Sequence, residues 1–496
     1  MELKNKTMKA VRWNFASTAL GAVVGLVQLW ILSRILPPHE YGVISLALMV
    51  IQFLNIFLDF GITNSIVRRA QITELELSSL YAINLAMGAG TFLAAYLASD
   101  WMGTFFKSPE LVIQIKIMAF GFLLAPFAQQ QRAIMVREMH FNFIAMVAIV
   151  TLLVNFAVVV GLALVYREAW VASVSFLVST ALSSAIFFRK GLTERKLSFA
   201  FQWESARPHL RYAIQLVSDS LINVVSVNTY PALMARLVDL TAIGGYNIAY
   251  GISINLIDRL KPVLMQALFP AFAKIQDDDV KLAKNFLLVT SYASLINFPL
   301  LTGLFVASTP LVHTFFKPEW YFIDDLVRIL CLIGMFRSVD VPVISLLLAK
   351  AKMYLNVRVG IFKLVIGIAL AYWLGKNHGI IGIAYSFLIV QASNTVFGYY
   401  LLVRPCLPGL GRAYFISVLI PLLQVLPICV VAGLLTRFPP SSLPMLNLAL
   451  IVVGGGAAYV LGLLLTPFAV VREFVLLAGK NVSPKVERLL ARRLNK

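Results

Sequence analysis

Between positions 258 and 262 the chain reads Asp-Arg-Leu-Lys-Pro, inside a stretch that is otherwise apolar. Arg337 and Asp340 stand one helical turn apart in a later apolar stretch, and Lys363 lies in the next. Ionisable side chains in such settings are costly and normally face a protein or water-filled interior. Arg259, Lys261, Arg337 and Lys363 therefore form a candidate electropositive set for an anionic ligand, because a guanidinium matches phosphate oxygens in a bidentate way. A competing arrangement is local neutralisation. Asp258 with Lys261 and Arg337 with Asp340 both have the i, i+3 spacing of helical ion pairs, which leaves Arg259 and Lys363 without local partners.

Polar residues at three- and four-residue spacing mark further helix faces that would line a wet interior. Gln28 falls on such a face in the first apolar stretch, Gln52 and Asn55 in the second, Gln215 and Asn223 in the seventh, and Asn247 and Asn255 in the eighth. Asp59, Asp219, Asp258 and Asp340 are the carboxylates placed to couple to H⁺ or Na⁺. Pro262 removes a backbone hydrogen bond and is expected to kink its helix, exposing carbonyls there.

The elements that carry these residues follow from composition. The 496 residues are 60% hydrophobic and 13% charged, against roughly 25% charged in soluble domains. That much apolar surface has to face lipid. A bilayer core about 30 Å thick is crossed by about 20 helical residues. On that rule spans fall near 15–36, 41–62, 79–101, 111–131, 141–166, 169–188, 211–236, 242–271, 286–308, 323–348, 355–376, 379–402, 414–436 and 445–466. By helical rise, Arg259 would lie about 20 Å inside the eighth span. The first span is too long for a signal-peptide core and lacks a small-residue cleavage site after it.

The net charge of +19 is distributed in short loops, which speaks for membrane topology and against nucleic-acid binding. Lysines and arginines concentrate before the first span, in the even-numbered connections and after the last span, so both termini are expected in the cytoplasm. The tail from Pro484 alternates Val486, Leu489, Leu490 and Leu494 with Lys485, Arg488, Arg492 and Arg493, a pattern that fits a basic amphipathic helix on an anionic leaflet or a solvated basic tail equally well. No connection is long enough for a soluble catalytic domain. The three cysteines and five histidines are scattered and suggest no disulfide framework, metal site or cofactor.

The sequence also repeats itself at a period of a little over 200 residues. Thr104-Phe105-Phe106-Lys107 matches Thr314-Phe315-Phe316-Lys317, and Arg34-Ile35-Leu36 leading to Tyr41-Gly42 matches Arg236-Leu237-Val238 leading to Gly245-Tyr246. Six spans per copy make the repeats parallel, with a cavity expected between them. The expected architecture is an all-α polytopic membrane protein of about 14 transmembrane helices. It has a six-helix lobe over 1–190, a cytoplasmic linker over 191–210 and a second six-helix lobe over 211–402. Helices 13 and 14 follow over 403–470, then the basic tail over 471–496.

Three short segments, Trp13-Asn14-Phe15, Leu36-Pro37-Pro38-His39-Glu40-Tyr41-Gly42 and Asp59-Phe60-Gly61-Ile62, together with this architecture, resemble the polysaccharide transporters of the multidrug/oligosaccharidyl-lipid/polysaccharide (MOP) superfamily. The resemblance is closest to Wzx-type flippases of the colanic-acid and exopolysaccharide exporter branch. It implies a V-shaped, alternating-access carrier in the bacterial inner membrane. Its cargo would be an undecaprenyl-pyrophosphate-linked oligosaccharide repeat unit destined for exopolysaccharide, lipopolysaccharide or capsule synthesis. Its partners would be that substrate, membrane lipids and the polymerase and export machinery. In related peptidoglycan-precursor flippases the diphosphate is met largely by arginines of the first lobe. Here the interior cations lie in the second, so residue roles do not transfer from that branch.

Two other readings make different demands. A cation-coupled multidrug exporter of the same fold needs surplus acid in its cavity, whereas the second lobe shows surplus base. A membrane-embedded polymerase or glycosyltransferase needs a long periplasmic loop or an acidic metal motif. The only acidic pair in a periplasmic connection, Asp324-Asp325, stands beside Arg328 and reads as a local ion pair.

Overall fold

The computed structural model describes residues 2–59, 66, 72–194, 201–438, 441, 443–466 and 468–482. The described residues are almost wholly helical and contain no strand. This is what a lipid environment imposes, since a helix satisfies its backbone polar groups within one segment.

The chain packs as two compact units, 1–247 and 248–496. The first contains α1 (Glu2–Ile35), α2 (Pro38–Asp59), α3 (Glu74–Phe105), α4 (Pro109–Arg137), α5 (Phe141–Tyr166), α6 (Trp170–Glu194), α7 (Trp203–Leu237) and the start of α8 (Leu240–Ser253). The second contains α9 (Asn255–Ala273), α10 (Asp279–Val306), α11 (Ser308–Phe315), α12 (Ile323–Arg337), α13 (Asp340–Ala349) and α14 (Met353–Gly398). It closes with α15 (Gly411–Gln424), α16 (Leu426–Arg437), α17 (Pro444–Leu464) and α18 (Ala469–Val482). The first compact unit thus reaches past the 191–210 segment expected to separate the lobes, because α7 packs against α2 and α3.

Eleven helical stretches among the described residues are long and apolar enough to cross a membrane. The difference from about fourteen has identifiable sources. The stretch Met353–Val403 counts once, yet a straight helix of that length would run about 75 Å, more than twice a bilayer core. Gly379, at φ 59° and ψ −141°, splits it into two. The other two expected spans fall on α7 and on the interrupted run α8–α9, which carry more polar residues than the eleven.

Hairpins are closed by a recurrent turn. Lys107, Met139 and Ala351 adopt the left-handed conformation just after α3, α4 and α13. The next residue's N–H in each case reaches back to the last helical turn: Ser108 to the Gly103 carbonyl at 2.9 Å, His140 to Met135 at 2.9 Å, Lys352 to Leu347 at 2.8 Å. This is the Schellman arrangement, built here without glycine. In both copies of the Thr-Phe-Phe-Lys repeat a helix ends at the aromatic pair and a proline opens the next helical turn, at Pro109 and at Pro318.

The segment from Pro37 to Gly42 ties the first unit together at one end. Pro38 opens α2, the His39 ring lies 3.4 Å from Glu110 at the start of α4, and the Glu40 carboxylate accepts the Ala169 N–H at 2.7 Å. Gly42 then allows α2 and α8 to touch. A Cβ there would fall 1.8 Å from the Leu240 carbonyl oxygen, and one on Gly244 would fall 2.6 Å from that of Pro38.

Val471 and Val475 of α18 are buried with Leu295 of α10 and Leu463 of α17, so this helix docks on the second unit. The basic amphipathic segment that follows lies outside the described residues.

Candidate functional site: an ion cluster on interrupted helices

The second unit gathers its interior charges where two helical runs break. The α8–α9 run is interrupted at Ile254. Pro262, where the sequence places a kink, sits within α9, and the interruption lies two turns before it. The Ser253 hydroxyl donates to the Ala249 carbonyl at 2.5 Å, and such back-bonding bends helices. The other run breaks at 338–339, between α12 and α13. Arg337 therefore closes one helix and Asp340 opens the next, each complementing the local helix dipole.

Asp258 is the hub. Its carboxylate lies 2.7 Å from Lys261 Nζ and 3.2 Å from Arg337 Nη2, and it accepts the Tyr250 hydroxyl at 2.5 Å. Arg337 Nη1 in turn donates to the Tyr250 oxygen at 3.0 Å. The Asp258–Lys261 pair forms at the expected spacing. No Arg337–Asp340 ion pair within 4 Å forms among the described residues: Arg337 crosses to Asp258, with Asp340 near enough to act on it electrostatically. Asp340 is instead held by two amides of α14, Gln391 Nε2 and Asn394 Nδ2, both at 3.2 Å. Lys363, half-buried in the part of α14 before Gly379, lies within electrostatic reach of Asp340 and Arg337.

Lys261, Arg337 and Asp258 keep 21%, 16% and 24% of their side-chain surface exposed. They are sheltered without being sealed. Three cations, Lys261, Arg337 and Lys363, face two carboxylates, Asp258 and Asp340. The side chain of Arg259 lies outside the described set.

The remaining candidates are dispersed. Gln52 and Asn55 are exposed on α2, and Gln52 accepts from Asn228 of α7 at 3.2 Å. Gln28, Asn247 and Asn255 are half-buried. The side chains of Asp59, Gln215, Asp219 and Asn223 lie outside the described set. Sequence reasoning missed Tyr250, Asn228, Gln391 and Asn394. The i, i+3 spacing of the last two was legible as a polar face, whereas the role of Tyr250 depends on Arg337, which is remote in sequence.

Asp324 and Asp325 behave as the sequence suggested. Each lies 3.5 Å from Arg328, and Asp324 also accepts from Ser308 and Thr309.

Comparison with known proteins places this arrangement in a class. The fold is shared with a structure described as "Lipid II flippase MurJ, inward closed conformation". The TM-score is 0.67 at 14% identity, over 91% of this chain and 98% of that one. It is shared too with an inward-facing multidrug resistance MATE family transporter of the MOP superfamily, at TM-score 0.60 and 13% identity, over 82% and 94% of the two chains. The molecule is thus a polytopic helical protein with the fold of these two structures.

A family model described as "Polysaccharide biosynthesis protein" matches residues 31–324. "Lipopolysaccharide biosynthesis protein WzxC" of Escherichia coli K12 is 35% identical over 87% of this chain and 88% of its own. An "Uncharacterized membrane protein in cps region" of Klebsiella pneumoniae is 31% identical over 95% and 98%. The chain belongs to this family of polysaccharide biosynthesis proteins.

Proposed function

We propose that the protein is a flippase that carries polyprenyl-pyrophosphate-linked oligosaccharide repeat units across the bacterial inner membrane, by alternating access, for surface polysaccharide synthesis. The observation that carries the mechanism is the surplus of positive charge in the Asp258 cluster. Each cation at mid-bilayer depth is held at a cost of about 3 kcal/mol on insertion scales. A pair that cancelled itself would serve structure alone, whereas a third cation gives the cluster capacity for an anion. Arg337 presents its guanidinium from a helix end, and Lys261 and Lys363 supply compact charges beside it. A pyrophosphate is the strongest anion in such a cargo and the part least tolerated by hydrocarbon. The polyprenyl tail can stay in the bilayer throughout.

Relatives named for lipopolysaccharide, teichuronic acid, succinoglycan and amylovoran biosynthesis share the surface-glycan theme while differing in the glycan. That supports a carrier whose conserved demand is the phosphate-linked lipid. Surplus base also speaks against cationic drugs as cargo. Asp258 and Asp340 are the carboxylates positioned to couple transport to H⁺ or Na⁺. The family reading is of a transporter; membrane lipids and the glycan polymerase are its expected neighbours, with both chain termini in the cytoplasm.

The test is genetic and chemical together. Deletion should abolish surface polysaccharide and accumulate lipid-linked repeat units in the inner leaflet. Wild-type protein should restore export and Arg337→Ala should not, at equal membrane abundance. Drug hypersensitivity with intact surface glycan would overturn the reading.

A further inference from the structure

The first unit contains a cavity of about 520 Å³ that none of the candidate residues touches. Its walls come from α4, α5 and α6, with Leu58 of α2 at its edge. Each of the three helices contributes a polar stripe at helical spacing: Gln129 and Arg132 from α4, Thr151 and Asn155 from α5, Ser179, Thr180, Ser183 and Ser184 from α6. The volume is that of an ordinary small-ligand pocket, about 300–1,000 Å³.

Three observations indicate what the cavity takes. First, among the described residues Arg132 lines it without an ion pair and no carboxylate lines it. A cation would find nothing there to balance it; an anion would. Second, the Ser184 hydroxyl is buried, with 5% of the residue exposed, and has no hydrogen-bond partner. Buried polar groups are nearly always paired, so this one marks a place for a ligand group. Third, the wall is hydroxyl- and amide-rich beside small alanines and Phe187. Thr151 and Ser179 give their protons to their own helix carbonyls at 2.8 and 2.9 Å; Asn155 Nδ2 donates to the Ser179 oxygen at 3.5 Å, and the Thr151 oxygen keeps lone pairs to accept from a ligand. Hydroxyls and amides that both donate and accept, set beside apolar faces, suit a pyranose ring.

We infer that this cavity is a second cargo subsite, where Arg132 holds a phosphate and the Ser/Thr/Asn wall around Ser184 holds the adjacent sugar. The inference rests on the flippase reading and deepens it. The cargo then meets two sites of different character, one reading phosphate plus sugar and one supplying charge.

Full-length protein in nanodiscs, with farnesyl-pyrophosphoryl-hexose as the probe, tests this. Arg132→Ala should weaken binding at least tenfold and Arg132→Lys by less. Ser184→Ala should weaken the hexose-bearing probe about threefold and leave farnesyl pyrophosphate unaffected. Equal melting temperatures for these variants establish that the fold is intact. Wild-type affinity in both Arg132→Ala and Ser184→Ala overturns the subsite. Displacement of the probe by phosphatidylglycerol as readily as by unlabelled probe overturns it too, because the cavity would then be a lipid-headgroup site. Displacement by inorganic pyrophosphate alone, with no effect of Ser184→Ala, removes the sugar contact and also overturns it. Loss of glycan export in Arg337→Ala under those outcomes keeps the flippase reading standing, so the two failures are distinguishable.

Discussion

The Asp258 cluster and the Arg132 cavity place arginine in opposite circumstances. Arg337 is braced: it lies 3.2 Å from Asp258 and donates to Tyr250 at 3.0 Å. Arg132 lines an acid-free wall with no ion pair among the described residues. A braced charge contributes to the fold and is partly spent on its partners, whereas an unbraced one is free for a ligand. The contrast separates the hub carboxylate Asp258, whose loss should destabilise the protein, from Arg132, whose loss should only disarm it.

The harshest way to break the comparison is to remove the hub. Asp258→Asn leaves Lys261 and Arg337 without their carboxylate, and stranding buried charge in this way costs about 3–5 kcal/mol. A large drop in melting temperature in detergent is expected, and an unchanged one would show that the cluster is solvated rather than braced.

Gly42→Val is next. Its Cβ would stand 1.8 Å from the Leu240 carbonyl, so α2 and α8 must separate, at about 1–3 kcal/mol for overpacking. Comparable melting of the variant and wild type would mean that the two helices are not held together in solution.

Tyr250→Phe is milder. It removes one hydroxyl that links Asp258 to Arg337, worth about 1 kcal/mol, and a small melting shift with reduced export is expected.

Arg132→Ala should change stability by less than about 0.5 kcal/mol, as for surface substitutions away from special contacts, while export falls sharply. Destabilisation on the scale of Asp258→Asn would erase the distinction between the two regions.

Some of this was legible without coordinates. The Asp258–Lys261 pair formed as its spacing indicated, because both partners lie on one continuous helix where i, i+3 neighbours must meet. The same rule misplaced Arg337. Its spacing from Asp340 holds only if the helix is unbroken, and the break at 338–339 sends the two side chains to different neighbours. The interruption after Ser253 was not legible either, because serine is inconspicuous as a helix breaker. The Arg132 cavity was missed because its stripes are hydroxyls and amides, each unremarkable in a span until three helices bring them face to face.

Composition and hydropathy alone determined that this chain crosses a membrane many times as helices, since no other backbone arrangement of such apolar segments satisfies its own hydrogen bonds in lipid. Repeats and short motifs located the hairpins, and Gly42 shows why one of those motifs needs its glycine. Only the tertiary structure decided which charges cancel and which remain available. Pairing between helices depends on where each helix breaks and what it packs against, and neither is written in the spacing along one strand of sequence.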